Sequence, residues 1–384
     1  MPRAPTVTRR RPGGRAPARP LPARHENMGD VRPPPSRMRR RAGAPIERHT
    51  MSTLLVTGAA GFIGSNFVRY WRTRHPEDAV VALDALTYAG CRENLADVAD
   101  RVTFVHGDIR DQELVESVLR EHSVDVVVNF AAESHNSLAI IRPGEFFATN
   151  VMGTQTLLEA ARTVGVARFH QISTCEVYGD MDLNDPGAFT EDSPYLPRTP
   201  YNAAKAGGDH AVRAYGFTYN LPVTITNCSN NYGPYQFPEK VIPLFVTRAL
   251  QGESLPMYAS TTNRREWLHV MDHCRAIDAV LDRGRLGETY HVGSGVEADI
   301  ETIADTVLAE LGLPASLKTI VPDRPSHDRR YLLDSTKLRT ELGWTPLIDF
   351  AEGMRSTIAW YKENEAWWRP LLGRSPVSET AWTS

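Results

Sequence analysis

Tyr201 and Lys205 are the residues whose types and spacing point most directly to chemistry. Residues four apart on a helix share one face, so an ammonium group would lie beside a phenol. The positive charge favours the phenolate and lowers the tyrosine pKa, which lets the phenolate accept a proton from a substrate hydroxyl. Ser173 or Thr174, at the end of the preceding predicted strand, can bind the same hydroxyl. The alternative is an ordinary aromatic–lysine pair on a helix.

A glycine-rich segment upstream predicts a nucleotide cofactor for this chemistry. Gly58-Ala-Ala-Gly61-Phe-Ile-Gly64 lies between an apolar segment and a helix-like one. A helix N-terminus offers free N–H groups to a pyrophosphate, and glycine lets the backbone approach it closely. Asp84 follows 20 residues later, at the end of the next predicted strand, where its carboxylate can accept bonds from a ribose diol. The pattern favours NAD over NADP, with Asp108 and Ile109 near the adenine.

Alternating strands and helices are predicted to position these residues. Each predicted strand is apolar throughout, which is typical of a parallel sheet covered on both faces. We therefore predict an α/β fold with a Rossmann-type doubly wound parallel sheet. The predicted strands are 53–57, 79–84, 102–105, 124–130 and 168–173, and the predicted helices are 65–74, 114–121 and 149–164.

The alternation weakens after about residue 235, which predicts a smaller α+β C-terminal substrate lobe over the mouth of the sheet. A helix is expected at 297–311, mixed loops and short strands at 318–350, and a Trp- and Tyr-rich segment at 359–368. The domain prediction assigns 51–235 and 266–295 to an NAD-binding domain, and 236–265 and 296–384 to the substrate lobe.

Composition excludes several classes of protein. A hydrophobic content of 41% and a charged content of 23% are ordinary for a globular chain. The chain has no run of 18 apolar residues, so no membrane-spanning helix is predicted. No Cys-x-x-Cys pair is present, so neither a zinc site nor a disulfide framework is indicated. We predict no metal and a cytoplasmic location. The four cysteines are Cys91, Cys175, Cys228 and Cys274.

Residues 1–50 differ from the rest of the chain. They hold 13 of the 43 basic residues, 10 of the 27 prolines and only Glu26, Asp30 and Glu47 as acids, a composition that predicts disorder. The remaining 30 basic and 43 acidic residues make the folded part acidic, which argues against nucleic-acid binding. The segment reads as a targeting peptide, a nucleic-acid-binding arm or an over-extended start, with translation beginning at Met51 or Met28. The last interpretation is favoured, because a strand follows Met51 almost at once.

Five further segments carry a resemblance to a known family. Together with the glycine-rich loop and the Tyr–Lys pair, they resemble the extended short-chain dehydrogenase/reductase superfamily and, within it, the dTDP-glucose 4,6-dehydratases, from about residue 53 to 368. The 228–240 stretch is the most distinctive of the five. The segments are Asp84-Ala-Leu-Thr-Tyr-Ala-Gly90, Asn129-Phe-Ala-Ala-Glu-Ser-His135, Ser173-Thr-Cys-Glu-Val-Tyr-Gly179, Cys228-Ser-Asn-Asn-Tyr-Gly-Pro-Tyr-Gln-Phe-Pro-Glu-Lys240 and Asp323-Arg-Pro-Ser-His-Asp-Arg-Arg-Tyr331.

The resemblance implies a role for each matching residue. Tyr201 would be the base for the sugar C4 hydroxyl, tuned by Lys205 and aided by Thr174, and Glu176 would remove the C5 proton. The expected NAD-binding residues are Gly58, Gly61, Phe62, Ile63, Gly64, Asp84, Thr87, Asp108, Ile109, Ala131, Ala132, Ser173, Tyr201 and Lys205. The expected substrate-binding residues are His135, Thr174, Asn230, Lys240, Tyr258, Arg265, His291 and Arg330, with a surface ion pair to Glu266 as the alternative for Arg265.

The implied reaction is a lyase reaction on a nucleotide-diphosphate hexose, within deoxysugar biosynthesis. The C4 hydroxyl is oxidised, the C5 proton and the C6 hydroxyl leave as water, and hydride returns to C6. NAD is regenerated in each turnover and is expected to stay bound. The resemblance also implies a homodimer through residues 145–163 and 201–217, with no nucleic-acid or membrane partner.

The chain departs from the family around the expected sugar. Cys175 replaces the aspartate that acts as the acid for the departing C6 hydroxyl, and a thiol is roughly 4.6 pKa units weaker than an aspartic acid. Cys175 therefore serves as a poor acid, leaves both proton transfers to Glu176, or is a small apolar filler. The other departures are Asn136-Ser-Leu-Ala139 for Val-Asp-Arg-Ser, Asn227 for Arg, His291 for Asn and Ala259-Ser-Thr261 for Gly-Asp-Gly.

These departures leave more than one function open. The favoured function is the 4,6-dehydration of dTDP-glucose. Cys-Glu in place of Asp-Glu also resembles nucleotide-sugar 5,6-dehydratases, in which hydride returns to C4 and an exo-glycal is formed. An epimerase has no need of Glu176. A protein that binds NAD and a nucleotide sugar without turnover is disfavoured, because Thr174, Glu176, Tyr201 and Lys205 are all present.

Overall fold

A computed structural model describes residues 51–375, so the predictions for residues 1–50 lie outside the described residues. The strands in chain order are Thr53–Thr57 (β1), Ala79–Asp84 (β2), Thr103–His106 (β3), Val126–Asn129 (β4), Arg168–Thr174 (β5), Val223–Cys228 (β6), Asn230–Tyr232 (β7), Leu255–Tyr258 (β8), Arg264–His269 (β9), Thr289–Val292 (β10), Glu297–Asp299 (β11) and Lys318–Val321 (β12). The α-helices are Phe62–Arg74 (α1), Gln112–Glu121 (α2), Asn136–Ile141 (α3), Pro143–Phe147 (α4), Thr154–Val164 (α5), Pro200–Tyr219 (α6), Val241–Leu250 (α7), Val270–Arg283 (α8), Ile300–Leu311 (α9), Thr336–Leu342 (α10), Phe350–Glu363 (α11) and Glu365–Trp368 (α12).

Seven strands form one parallel sheet in the order β10-β6-β5-β4-β1-β2-β3. This arrangement confirms the predicted Rossmann-type α/β fold. The order reverses between β1 and β4, so loops from the two halves of the sheet diverge there and leave a crevice at the carboxyl ends of the strands.

The apolar strands pack on both of their faces, as their composition predicted. Leu54 and Val56 contact one cluster of side chains that includes α1 and α8. Leu55, between them, points to the other face and contacts α2, α5 and α6. Successive side chains of a strand point to opposite faces, so a strand covered on both sides has to be apolar at every position.

The smaller C-terminal lobe contains two short sheets, of order β11-β9-β7 and β12-β8. Its core lies between α7, α9 and α11 and includes the fully buried Trp368. β10 comes from the segment 266–295 and pairs with β6 of the large sheet. The predicted domain boundaries remain a prediction.

Two predicted helices begin differently in the structure. The segment predicted as helix 149–164 starts with a π-helical segment, Ala148–Gly153, before α5. The segment predicted as helix 297–311 starts with β11, which pairs with β9, and Asp299 then caps α9 by accepting the Thr302 N–H at 2.8 Å. Strand pairing within the lobe therefore determines the first residues of this segment.

Candidate active site

A cavity of about 1210 Å³ lies at the carboxyl ends of β1, β4 and β5 and extends to the smaller lobe. All of the residues predicted to bind the cofactor line it. Four of the five predicted catalytic residues also line it, namely Thr174, Glu176, Tyr201 and Lys205. The topology thus brings together the glycine-rich loop, the Tyr–Lys pair and Glu176, which lie far apart along the chain.

The glycine-rich loop makes a tight turn between β1 and α1. Gly58 has a φ of +64°, a conformation that favours glycine, and its carbonyl accepts the Gly61 N–H at 3.1 Å. A Cβ on Gly64 would lie 2.2 Å from the Gly58 oxygen, so a side chain there would break the turn. Gly61 precedes α1 without a side-chain cap, which leaves the first N–H groups of the helix available to a ligand.

Asp84 connects the end of β2 to this loop. Its carboxylate accepts the Ala60 N–H at 2.9 Å and the Leu86 N–H at 2.8 Å. Burial raises its pKa, and the two N–H bonds oppose that rise. Asp84 lines the cavity at the end of β2, and its binding to a ribose diol stays a prediction.

Tyr201 and Lys205 lie in the first two turns of α6, which Thr199 caps by accepting the Asn202 N–H at 3.2 Å. The Lys205 ammonium donates to the Ile172 carbonyl at 2.6 Å. Burial raises the pKa of Tyr201, Glu176 raises it further, and a hydrogen bond with Thr174 lowers it. The prediction that Lys205 lowers the tyrosine pKa concerns a site with an oxidised nicotinamide nearby, and it stays a prediction.

Glu176 enters the cavity from a turn that follows β5. The strand ends at Thr174, whose hydroxyl accepts the Glu176 N–H at 3.3 Å, and residues Cys175–Tyr178 form a single 3₁₀ turn. Asn136 donates its side-chain amide to the Glu176 carboxylate at 3.2 Å. Burial raises the Glu176 pKa, and Arg324 and Asn136 oppose that rise. A raised pKa suits a carboxylate that must both take and release a proton.

Cys175 does not line the cavity, which corrects its prediction as a catalytic acid. The backbone does turn after Thr174, but the turn directs the thiol away from the cavity, into an apolar cluster with Tyr178, Ala206 and Tyr331. Only 1% of its surface is exposed, and burial raises its pKa well above the ordinary value. The geometry favours the third interpretation of the sequence, a small apolar filler.

Replacing Cys175 therefore should change stability more than catalysis. We expect Cys175→Ala to keep kcat within about threefold of the wild-type value, because the thiol does not reach the cavity. Cys175→Asp should lower the free energy of unfolding by about 3 kcal/mol or more, since it buries a carboxyl group among apolar side chains. Urea unfolding and initial rates measure the two effects, and Cys274→Ala, an equally buried thiol in α8, is the matched control. A loss of kcat of about 100-fold in Cys175→Ala would restore the acid role.

Two predicted substrate-binding residues lie outside the cavity lining. His291 is buried in β10, where its ring nitrogens contact the Tyr178 hydroxyl at 2.6 Å and the Phe189 carbonyl at 3.1 Å. Arg330 forms a bidentate pair with Glu297, at 2.6 and 2.7 Å. Both predictions are corrected, because closer partners in the fold already occupy the polar atoms that were expected to reach substrate.

The other predicted substrate-binding residues line the cavity. Arg265 donates to the Asp328 carbonyl at 2.6 Å, and its guanidinium lies 4.6 Å from the Tyr331 ring centre. Its proposed ion pair with Glu266 is wrong, because neighbouring strand residues face opposite ways and Glu266 accepts the Gly295 and Leu333 N–H groups instead. The predicted substrate-binding residues that line the cavity are His135, Thr174, Asn230, Lys240, Tyr258 and Arg265.

Sequence reasoning missed several polar groups of the cavity. Arg324 and His327 belong to the segment 323–331 that carried the resemblance, and Asn136 belongs to a departure noted next to His135. Glu239, almost fully buried, accepts the Tyr88 hydroxyl at 2.8 Å. An Arg and a His within a distinctive segment were the available signal, although neither spacing nor periodicity indicates which of them faces the cavity.

Within residues 51–375, no three His, Cys, Asp or Glu side chains come together as a possible metal site. The four cysteines are all free and buried. None of the described helices is long and apolar enough to cross a membrane.

Comparison with known proteins gives a consistent set of relatives. A family model described as GDP-mannose 4,6 dehydratase matches residues 55–357. A dTDP-glucose 4,6-dehydratase from Mycobacterium tuberculosis is 52% identical over 319 residues, which cover 83% of this chain and 96% of the relative. A dTDP-glucose 4,6-dehydratase from Streptomyces niveus is 50% identical over 333 residues, covering 85% of this chain and 97% of the relative.

Solved structures show the same similarity. DesIV, a dTDP-glucose 4,6-dehydratase from Streptomyces venezuelae solved with NAD and TYD bound, has 51% sequence identity and a TM-score of 0.80, covering 83% of this chain and 99% of its own. A UDP-glucose 4-epimerase from Thermotoga maritima, solved with UDP-glucose, has 27% identity and a TM-score of 0.76, covering 81% and 99%. The fold is common to both, and the sequence is closer to the dehydratase.

Proposed function

Because the chain belongs to the dTDP-glucose 4,6-dehydratase group of the extended short-chain dehydrogenase/reductase superfamily, we propose that it converts dTDP-glucose to the 4-keto-6-deoxy sugar nucleotide with bound NAD. The observation that carries the proposal is the convergence of Tyr201, Thr174 and Glu176 on one cavity beside the glycine-rich loop. Oxidation of a hydroxyl requires a base for the hydroxyl proton, and the elimination that follows requires a second base for the proton on carbon.

The residues of the cavity fit NAD. A pyrophosphate fits the turn that leaves no room for a Cβ at Gly64 and the uncapped start of α1. A ribose diol fits the buried Asp84 carboxylate. Bound NAD supplies the oxidation at C4 and the later reduction at C6. Ser173 and Lys205, at the end of β5 and in α6, would hold the reactive end of the cofactor.

The proton transfers belong to the chain's own side chains. Tyr201 takes the proton of the C4 hydroxyl, with the Thr174 hydroxyl orienting the same oxygen. Glu176 then takes the C5 proton, which the C4 ketone makes acidic. With Cys175 outside the cavity, we assign to Glu176 the return of that proton to the C6 oxygen, which leaves as water. Asn136 holds the carboxylate through both transfers, by its bond to Oε2 at 3.2 Å.

The experiment that tests this function is proton NMR of the sugar product. The purified protein is incubated separately with dTDP-glucose, UDP-glucose and UDP-N-acetylglucosamine. A 6-methyl doublet beside a C4 ketone, formed fastest from dTDP-glucose, is expected. Vinylic protons would show 5,6-dehydration instead, a product that the Cys175 position left open. No change in any of the three sugars would contradict the proposed function and favour a protein that binds NAD and a nucleotide sugar without turnover.

We also propose that the protein is a cytoplasmic homodimer. Large apolar side chains are exposed on the segments predicted to form the interface, including Met152, which is 57% exposed, and Phe217, which is 87% exposed. Large exposed apolar side chains on these two segments favour association. The four free cysteines fit a reducing compartment.

A charge in place of one of these exposed apolar side chains should dissociate the dimer. We expect Phe217→Glu to raise the dissociation constant of the dimer by about 30-fold or more, since an interface hot spot contributes roughly 2 kcal/mol. Sedimentation velocity across a dilution series measures this. Leu347→Glu, at a side chain 69% exposed outside the two segments, is the control and should leave association unchanged. An equal dissociation constant in the Phe217→Glu and Leu347→Glu variants would count against this interface.

A further inference from the structure

A buried carboxylate lies behind the Tyr–Lys pair and has no role in the reaction described so far. Tyr201, Lys205 and Asp209 follow one another at intervals of four on α6, so all three lie along one side of the helix. Tyr201 and Lys205 line the cavity, whereas Asp209 does not and is fully buried. Its position points to an action through other side chains rather than on the substrate.

Asp209 joins the helix to the end of β5. Its Oδ2 atom accepts hydrogen bonds from the Ser173 hydroxyl at 2.6 Å and from the Tyr195 hydroxyl at 2.9 Å. Its Oδ1 atom is buried without a hydrogen-bond partner among the described residues. A buried carboxylate that is not fully hydrogen-bonded is retained at a high energetic cost unless a nearby positive charge compensates it.

Lys205 provides that positive charge, and the Asp209 carboxylate in turn stabilises the Lys205 ammonium. The ammonium is buried, with its hydrogen bond to the Ile172 carbonyl at 2.6 Å. Burial lowers the pKa of Lys205, and the charge of Asp209 opposes this lowering. Reciprocally, burial raises the pKa of Asp209 and Lys205 opposes that rise. Each group therefore stabilises the charged form of the other.

We propose that Asp209 is a positioning residue that keeps Lys205 protonated and holds Ser173 against the cavity, and so maintains Tyr201 in a state that can exchange a proton with the sugar. The proposal rests on the proposed function, because it concerns the oxidation that Tyr201 assists. A Lys205 without its proton would provide no positive charge to a developing phenolate.

The other ionisable groups around the pair do not replace Asp209. On β6, Cys228 remains a thiol, because burial raises its pKa to about 12. Burial also raises the pKa values of Tyr178 and Tyr195, which therefore stay neutral. On α6, Arg213 donates to the Tyr195 hydroxyl at 2.8 Å and adds a second positive charge. Around Tyr201 lie Glu176 and Cys175, which both raise its pKa, and Tyr88, which stays neutral because burial raises its own pKa. The ring of His210 packs on Tyr195.

The test is the pH dependence of kcat in Asp209→Asn, which keeps the shape of the side chain and removes its charge. Activity requires protonated Lys205, so it falls as pH rises through the Lys205 pKa. Removing the neighbouring negative charge lowers that pKa, and the alkaline limb should move to lower pH by about 1 unit or more. The KM for the sugar nucleotide should stay within about threefold, since Asp209 does not line the cavity.

Tyr195→Phe is the matched control, because it removes one hydrogen bond to Asp209 and leaves the carboxylate charge in place. This variant should lower kcat without moving the alkaline limb. A uniform loss of rate at every pH in Asp209→Asn would overturn the proposal, since a merely structural residue gives that result. Asp209→Ser is a second neutral variant. Failure of both neutral variants to fold would also overturn the proposal, by showing that the carboxylate acts in stability.

Failure of the proposed function gives a different result. If the wild-type protein converts none of the sugars, the ultraviolet titration of Tyr201 replaces kcat as the measurement, taken as the absorbance change that Tyr201→Phe removes. In Asp209→Asn this titration should move to higher pH, because a lysine that loses its proton more easily no longer favours the phenolate. An unchanged titration would overturn the role of Asp209 regardless of the reaction.

Discussion

Replacing Tyr201 with phenylalanine should lower kcat by about 10³-fold, within the range of 10² to 10⁴ that general acid–base groups contribute. The phenol hydroxyl is the group assigned to take the C4 proton, and no other described hydroxyl of the cavity is paired with a lysine on the same helix face. Phenylalanine keeps the ring, which packs edge-on against Phe146 with centres 6.3 Å apart. The loss should therefore appear in kcat, with KM changed by less than about threefold.

Tyr215→Phe is the matched control for this prediction. Tyr215 lies on the same helix, away from the cavity, and its hydroxyl contacts Glu159 at 3.1 Å and Gln155 at 3.0 Å. Its loss should leave kcat within about twofold, since surface substitutions usually change free energies by less than 0.5 kcal/mol. Initial rates of product formation by NMR distinguish the two variants. A Tyr201→Phe enzyme with about a tenth of wild-type kcat would assign the proton transfer to another group.

The cofactor side of the site could be predicted from sequence because short local patterns determine it. One turn constrains the positions of Gly58 and Gly64, and Asp84 is placed by the end of β2, the strand that it terminates. Tyr201 and Lys205 share a helix, so their spacing alone places them on one face. In each case the residues belong to one element or to two that are adjacent in the sheet.

The sugar side was predicted less well because distant segments determine where its side chains point. His291 contacts Phe189 and Tyr178, about 100 positions earlier in the chain, and Arg330 pairs with Glu297. A matching position in a motif identifies the backbone segment, but it does not show whether a side chain already has a partner. The rise of the Tyr201 pKa by burial could not be predicted from the Tyr–Lys spacing for the same reason, since burial depends on all the surrounding elements.

The orientation of Cys175 has a chemical consequence for its neighbour. With the thiol in an apolar cluster and Glu176 in the cavity, we expect one carboxylate to serve both halves of the proposed elimination. Burial raises its pKa above the ordinary value of 4.5, so its protonated form persists to higher pH than that of an exposed glutamate. The acidic limb of the kcat profile should therefore lie above that value, because Glu176 must be ionised to take the C5 proton.

Glu176→Gln should accordingly stop the reaction after C4 oxidation, with a loss of overall kcat of about 10³-fold or more. The amide is nearly the same size and can still contact Asn136, but it cannot accept the C5 proton. With substrate deuterated at C5, the wild-type enzyme should release deuterium as the product forms, and the variant should retain it. Mass spectrometry of recovered sugar nucleotide measures this directly and separates a defect at C5 from one at C4.

Glu133→Gln is the control, because Glu133 also lines the cavity and burial also raises its pKa. If carboxylates in this cavity act merely through their charge, the two variants should lose C5 release equally. If Glu176 is the base, Glu133→Gln should still release deuterium while Glu176→Gln does not. Release that persists in Glu176→Gln and disappears in a Glu176→Gln/Cys175→Ala double variant would instead assign the C5 proton transfer to the thiol. The buried position of Cys175 leads us to expect retention of deuterium in both the single and the double variant.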